Sequence, residues 1–155
     1  MKPLAWWNLL FAVVCLAATS ASADWRAFRG SDSNSAAPDE KIPVTWSVEP
    51  GKQKNLAWQV DLPGRGLSSP IVVGDKVFVT CSDGYQNTRI HVLAFNAGTG
   101  KKLWHRTFWA TGRTFCHPTS ANAAPTPVSD GEAVYAFFSS NDLICIDLDG
   151  NFRWF

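Results

Sequence analysis

The phrase AFNAGTGKKLW, Ala94 to Trp104, closes a run of alternating apolar residues that begins at Ser68. It decides the fold because a looser copy follows. Residues Ala123 to Trp154, AAPTPVSDGEAVYAFFSSNDLICIDLDGNFRW, end on the same plan of a turn and then a tryptophan. Trp58, Trp104 and Trp154 stand 46 and 50 residues apart, each closing such a run. A period of roughly 40–50 residues with several short strands per repeat is what a β-propeller blade gives. The fold class is therefore all-β, built from propeller blades of four antiparallel strands.

The phrase has a mechanical reading. Asn96 can bond its own backbone two residues on and so hold a turn. Gly98 and Gly100 can take left-handed conformations that a β-carbon would oppose. Leu103 and Trp104 then open an outer strand, with the indole aimed at the neighbouring blade. The second copy, IDLDGNFRW, keeps this logic with Asp147, Gly150 and Trp154 and a turn one residue shorter. A tryptophan at one fixed place per repeat reads as packing between blades rather than as a ligand platform. Asn96, Gly100, Trp104, Asp147, Gly150 and Trp154 are thus assigned to the scaffold.

Working outward, Pro70 to Val73 reads as a first strand, and Gly74-Asp75 as a two-residue hairpin turn. Lys76 to Cys81, Arg89 to Phe95 and Lys101 to Phe108 supply three more strands, with a polar loop from Ser82 to Thr88. The blades span about residues 68–108 and 123–155. Asn55 to Leu62 alternates with Leu56, Trp58 and Val60 on one face, as a half-buried strand should. It opens a partial propeller over residues 55–155, preceded by a strap over 24–54. In that strap Trp25, Phe28 and Trp46 are expected to be pinned to the main body, each burial worth ~2–3 kcal/mol. Arg26 and Arg29 are expected to be solvated or paired locally. Propellers close with about four to eight blades. One strand and two units make an incomplete ring, whose remaining blades come from further sequence or from other chains.

The N-terminus reads as a signal peptide over residues 1–23. Lys2 supplies the positive end, Leu4 to Ala18 the apolar run, and Ala21-Ser22-Ala23 the small-x-small pattern before a cut after Ala23. The apolar run is shorter than the ~20 residues needed to span a bilayer, so no stable membrane insertion is expected after cleavage. The mature chain would be periplasmic or secreted. Charged residues make up only 17% of the chain, and loss of Lys2 leaves thirteen basic against thirteen acidic residues. Such a balance argues against nucleic acid as a partner.

Between the blades lies WATGRTFCHPTSAN, Trp109 to Asn122. Long connections in compact domains are often functional, so Arg113, His117 and Asn122 mark a candidate binding loop for an unknown protein or small ligand. Cys116 and His117 are adjacent, and adjacent residues rarely point at one ion. No second Cys/His pair stands at structural-zinc spacing, so neither a metal site nor a catalytic residue is assigned. Three cysteines remain after the leader: Cys81, Cys116 and Cys145. Cys81 and Cys145 fall in strands, and the cysteines read as buried thiols, with one bridge as the alternative.

These residues resemble the pyrroloquinoline-quinone (PQQ)-like β-propeller repeat family. Its signature has the form A-x-D-x-x-T-G-K-x-x-W, matched by Ala94, Thr99, Gly100, Lys101 and Trp104, with Asn96 where Asp is usual. The second copy matches at Asp147, Gly150 and Trp154 and lacks the Thr and Lys. The opening DWRAFRG (Asp24 to Gly30) and LPGRGLSSPIVVGDKVFV (Leu62 to Val79) look like the start of exported bacterial members. The resemblance implies a quinoprotein-like fold. It spans quinone-dependent dehydrogenases holding PQQ and calcium, a docking scaffold for outer-membrane protein assembly, and sensor domains fused to kinases. Neither an adjacent Cys pair nor a calcium-ligand set is identifiable in this sequence. The expected function is a non-catalytic, exported binding or scaffold module. The alternatives are the N-terminal part of a PQQ-dependent dehydrogenase and an extracytoplasmic sensor domain.

Overall fold

The computed structural model describes residues 24–33 and 41–155. The expected signal peptide and its cleavage point after Ala23 lie outside the described residues. Among the described residues, eight strands form two antiparallel sheets of four. The first holds β1 (Ile71–Val73), β2 (Lys76–Asp83), β3 (Arg89–Asn96) and β4 (Lys102–Trp109), side by side in chain order. The second repeats that order with β5 (Val128–Ser129), β6 (Ala133–Phe137), β7 (Leu143–Asp147) and β8 (Phe152–Trp154). The two sheets are the two expected blades.

Alternation places each blade's side chains on two faces. From the first blade, Ile71, Val73, Phe78, Ile90, Val92 and Ala94 face the second. The second meets them with Ala123, Val134, Ala136, Phe138, Ile144 and Ile146. Phe78, Phe138, Ile90 and Ile144 are wholly buried. At ~1.5–3 kcal/mol for each such side chain, this seam is the main cohesive element between the blades. On its opposite face the first blade buries Cys81, Leu93 and Phe95 under Val60 and Leu62.

The turn phrases behave as latches. Asn96 Oδ1 accepts the backbone N–H and the hydroxyl of Thr99 at 3.0 and 2.9 Å, three residues on rather than two. Gly100 takes φ 69° and Gly150 φ 88°, whereas Gly98 is not among the left-handed glycines. Asp147 Oδ1 accepts the N–H groups of Asp149 and Asn151 at 3.1 and 2.8 Å. Trp104 then lies flat over the second turn. A β-carbon built at Gly150 would sit 2.7 Å from its ring, and its Nε1–H donates to the carbonyl of Leu148 at 3.1 Å. Trp58 does the same to the first turn: a β-carbon built at Gly100 would sit 2.7 Å from its ring, and its Nε1–H donates to the Ala97 carbonyl at 2.7 Å.

That equivalence corrects the reading of Asn55 to Leu62. The segment alternates in burial as expected, but it joins no ladder among the described residues. It holds toward the first blade the place that β4 holds toward the second, packed by side chains alone. The strap also departs from expectation. Trp25 pairs with Val72 and lies against Gly30, and Arg26 O accepts Ser129 N–H at 2.9 Å. Residues 25 and 26 thus stitch the inner strands β1 and β5 together. Phe28 and Trp46, however, are 62% and 72% exposed. Trp46 precedes a small excursion closed by the Ser47–Lys54 bridge, which carries its ring away from the blades. Arg26 pairs with Asp24, as expected of a local partner, and also reaches the carbonyl of Asp130 at 3.2 Å. Cys81 and Cys145 are buried free thiols, and Cys116 is a half-buried one.

Candidate functional site

Strand direction brings four connections to one end of the blades. These are residues 63–70 before β1, the β2–β3 loop, the long connection after β4, and the β6–β7 loop. The long connection is anchored from below. Asn122 is wholly buried; its Nδ2 donates to the carbonyl of Asn87 at 3.2 Å, and its Oδ1 accepts Ser140 N–H at 2.9 Å. Beside it the buried Asp142 accepts from the backbone N–H of Thr111 at 3.0 Å and from Ser140 Oγ at 2.6 Å, and the Thr111 hydroxyl also donates to it. A buried carboxylate satisfied by several donors is a strong clamp. It fixes where the chain leaves β4.

Above that anchor the loop is open. The Arg113 guanidinium lies 5.8 Å above the Phe115 ring, in cation–π contact. His117 is exposed, with Nδ1 accepting from the Thr119 backbone at 3.3 Å and facing the Thr119 hydroxyl at 2.8 Å. Arg65 Nη1 donates to the Pro118 carbonyl, and Asn87 Nδ2 reaches Cys116 Sγ at 3.8 Å. Of the three residues singled out in this loop, Arg113 and His117 therefore lie near its surface, and Asn122 supports it from beneath.

Sequence reading passed over the aromatic residues at this end. Tyr85 is 82% exposed, Phe115 69% and Trp109 68%. Tyr85 belongs to a short 3-10 turn, Tyr85–Asn87, with Gln86 and Asn87 in left-handed conformations. The signal available was composition: an aromatic flanked by polar turn residues, in a loop too short to bury it. Apolar area of this kind beside an arginine is characteristic of contact surfaces.

The quinone and calcium that the resemblance implies would need carboxylate and basic ligands near the inner strands. β1 carries Ile71, Val72 and Val73, and β5 carries Val128 and Ser129. The nearby Asp24 carboxylate is engaged by Arg26 and by the N–H of Gly74 at 2.8 Å, which hold it below the usual carboxylate range. Among the described residues no group of three or more His, Cys, Asp or Glu side chains is placed to hold a metal ion.

Two stacked four-stranded sheets, latched by indole-over-glycine contacts, define a propeller of the PQQ-repeat type. Residues 44–155 match the family described as outer membrane protein assembly factor BamB, and the chain belongs to that family. A comparison with curated proteins finds no match. No helix among the described residues is long and apolar enough to cross a membrane.

Proposed function

We propose that this chain is part of an exported propeller that works as a non-catalytic docking scaffold, with a polypeptide as its partner. The observation that carries this reading is the set of exposed aromatics at the loop end, Tyr85, Trp109 and Phe115, with Arg113 stacked on the last. Aromatic residues and arginine supply most of the energy of protein interfaces. Here they are held by an anchor whose polar groups are already spent on Asn122 and Asp142. The family's description as an outer membrane protein assembly factor supports that use. The apolar run Leu4 to Ala18 followed by Ala21-Ser22-Ala23 supports export.

A second surface bears on the same reading. Val128, Phe137, Leu143 and Trp154, on the face of the second blade turned away from the first, are 42–45% exposed. That face has the make-up of the one the first blade buries, and further blades, from additional sequence or other chains, would cover it.

The test is a photo-crosslinking side chain at position 115, with position 49 in the exposed Ser47–Lys54 turn as control, in the chain expressed in a bacterial envelope. A discrete polypeptide adduct from 115 and none from 49 is expected. Equal or absent adducts at both would overturn the docking role. Dye reduction with an alcohol or sugar after adding PQQ and calcium would replace it with the dehydrogenase reading. N-terminal sequencing of the envelope form should begin at Asp24, and a start at Met1 would remove export.

A further inference from the structure

On the first blade's face turned away from the second, four polar side chains converge near the rim. His91 and Thr107 are direct register partners across β3 and β4, and His105 lies one diagonal step away, opposite Leu93. His91 Nδ1 stands 3.0 Å from His105 Nε2 and 3.1 Å from Thr107 Oγ1. The third side of the triangle, His105 Nε2 to Thr107 Oγ1, is 3.3 Å. Behind them, His91 Nε2–H donates to Asp83 Oδ1 at 2.8 Å, and Arg89 grips both Asp83 oxygens at 2.8 Å. His91 is only 4% exposed, whereas Thr107 is open to solvent.

Hydrogen bonding fixes which atoms face the gap. Arg89 and the Nε2–H of His91 both hold Asp83, so the Nδ1 edge of the His91 ring is the one that faces His105 and Thr107. Cys81, the β2 register partner of His91, is buried. The donors on offer are two imidazole nitrogens and one hydroxyl oxygen.

We propose that His91 Nδ1 and His105 Nε2 form a binding site for a divalent transition-metal ion, with Thr107 Oγ1 or water in the next position and Asp83 as the positioning carboxylate. With metal–nitrogen bonds of ~2.0–2.1 Å, nitrogens 3.0 Å apart subtend roughly 90–95° at a shared ion. That angle suits the coordination of zinc, nickel or copper by imidazole. A carboxylate on the far nitrogen of a ligating histidine is the usual way its ring is oriented and its basicity raised. An ion here would tie β3 to β4 at the rim. This site is independent of the docking surface at the loop end.

The test is calorimetric titration of the chelator-stripped full chain with Zn²⁺ at pH 7.5. One equivalent of saturable binding is expected. His105→Gln should weaken it at least ~10-fold and Asp83→Asn roughly 10–100-fold, while His117→Gln leaves it unchanged. Far-UV circular dichroism checks the fold of each variant. In the wild type, which needs no substitution, the ring resonances of His91 and His105 should shift together on adding Zn²⁺. Undiminished binding in folded His105→Gln, absence of saturable binding at millimolar Zn²⁺, or unmoved His91 and His105 resonances would each overturn the site. The two rings would then only share a hydrogen bond.

Discussion

The two blades carry the same trio on the same face with opposite fates. In the first, Phe78, Ala94 and Trp104 are cross-strand partners, with the Phe78 and Trp104 rings 5.7 Å apart, and the second blade covers them. In the second, Tyr135, Cys145 and Trp154 are paired likewise, with rings 6.1 Å apart, and Trp154 is left 45% exposed. Each trio sits beside a register shift, between Ala94 and Phe95 in one and Cys145 and Ile146 in the other. A blade therefore holds its outward face in shape with no neighbouring sheet on it. The indole is positioned by its own sheet, and its energetic value comes from the next one.

The contrast can be broken experimentally. Trp104→Ala removes an indole packed against both seam clusters and should cost ~3–5 kcal/mol in urea denaturation. Trp154→Ala should cost under ~1 kcal/mol in the same assay, as for other substitutions that leave no cavity. Equal losses would mean that the seam contributes nothing beyond each sheet. Gly150→Ala comes next. Its β-carbon would meet the Trp104 ring at 2.7 Å in a left-handed conformation, so about 2–4 kcal/mol is expected from overpacking plus strain. Gly51→Ala is the control, also left-handed but with open space around it, and should cost about 1 kcal/mol. Third, Leu143→Lys on the uncovered face should leave stability within ~0.5 kcal/mol and reduce self-association in sedimentation velocity. The counterpart of Leu143 on the covered face, Val92, is wholly buried, and a lysine there would be strongly destabilising.

The smallest effect concerns pH. The Tyr135 hydroxyl, followed by the N–H groups of Glu132 and Ala133, holds the Asp130 carboxyl down at about 2, against an unfolded value near ~3.9. A depressed carboxyl contributes stability that is present above the unfolded value and lost as pH falls toward the folded one. Asp130→Asn should therefore lower Tm near pH 6, and the gap to wild type should close between about pH 4 and pH 2. A gap constant with pH would mean that the carboxylate bonds contribute nothing specific to folding.

What could be read from residues alone follows from how local each feature is. The four strands of the first blade and the Gly100 and Gly150 turns are set by alternation and backbone chemistry within a few residues, and those strands differ from the expected bounds by only one or two positions. The fates of Phe28 and Trp46 depend on where the strap crosses the sheets, which hydrophobicity does not encode. The segment from Leu56 to Leu62 alternated as a strand does, yet alternation reports only a buried face and says nothing about a ladder partner. At the loop end, Asn122 is a candidate binding residue by sequence and an anchor in the structure, because its partners Asn87 and Ser140 lie in two other loops. The His91–His105 pair was hidden by a register shift. A hairpin centred on Gly98-Thr99 pairs 95 with 102 and, followed outward, would set 91 opposite 106. The irregularity between Ala94 and Phe95 moves the partners by one, so that 91 faces 107 and 93 faces 105.

The socket beneath each indole is made of main chain: a glycine with nothing to get in the way and a bare carbonyl. Trp58 bonds the carbonyl three residues before its glycine and Trp104 the one two residues before, so the fastener accepts turns of different length. Thr99 and Lys101 have no counterparts at the second turn, and the joint holds regardless. Copies of such a unit can drift far apart in sequence and still snap together, because the mating surface offers evolution almost no side chains to change.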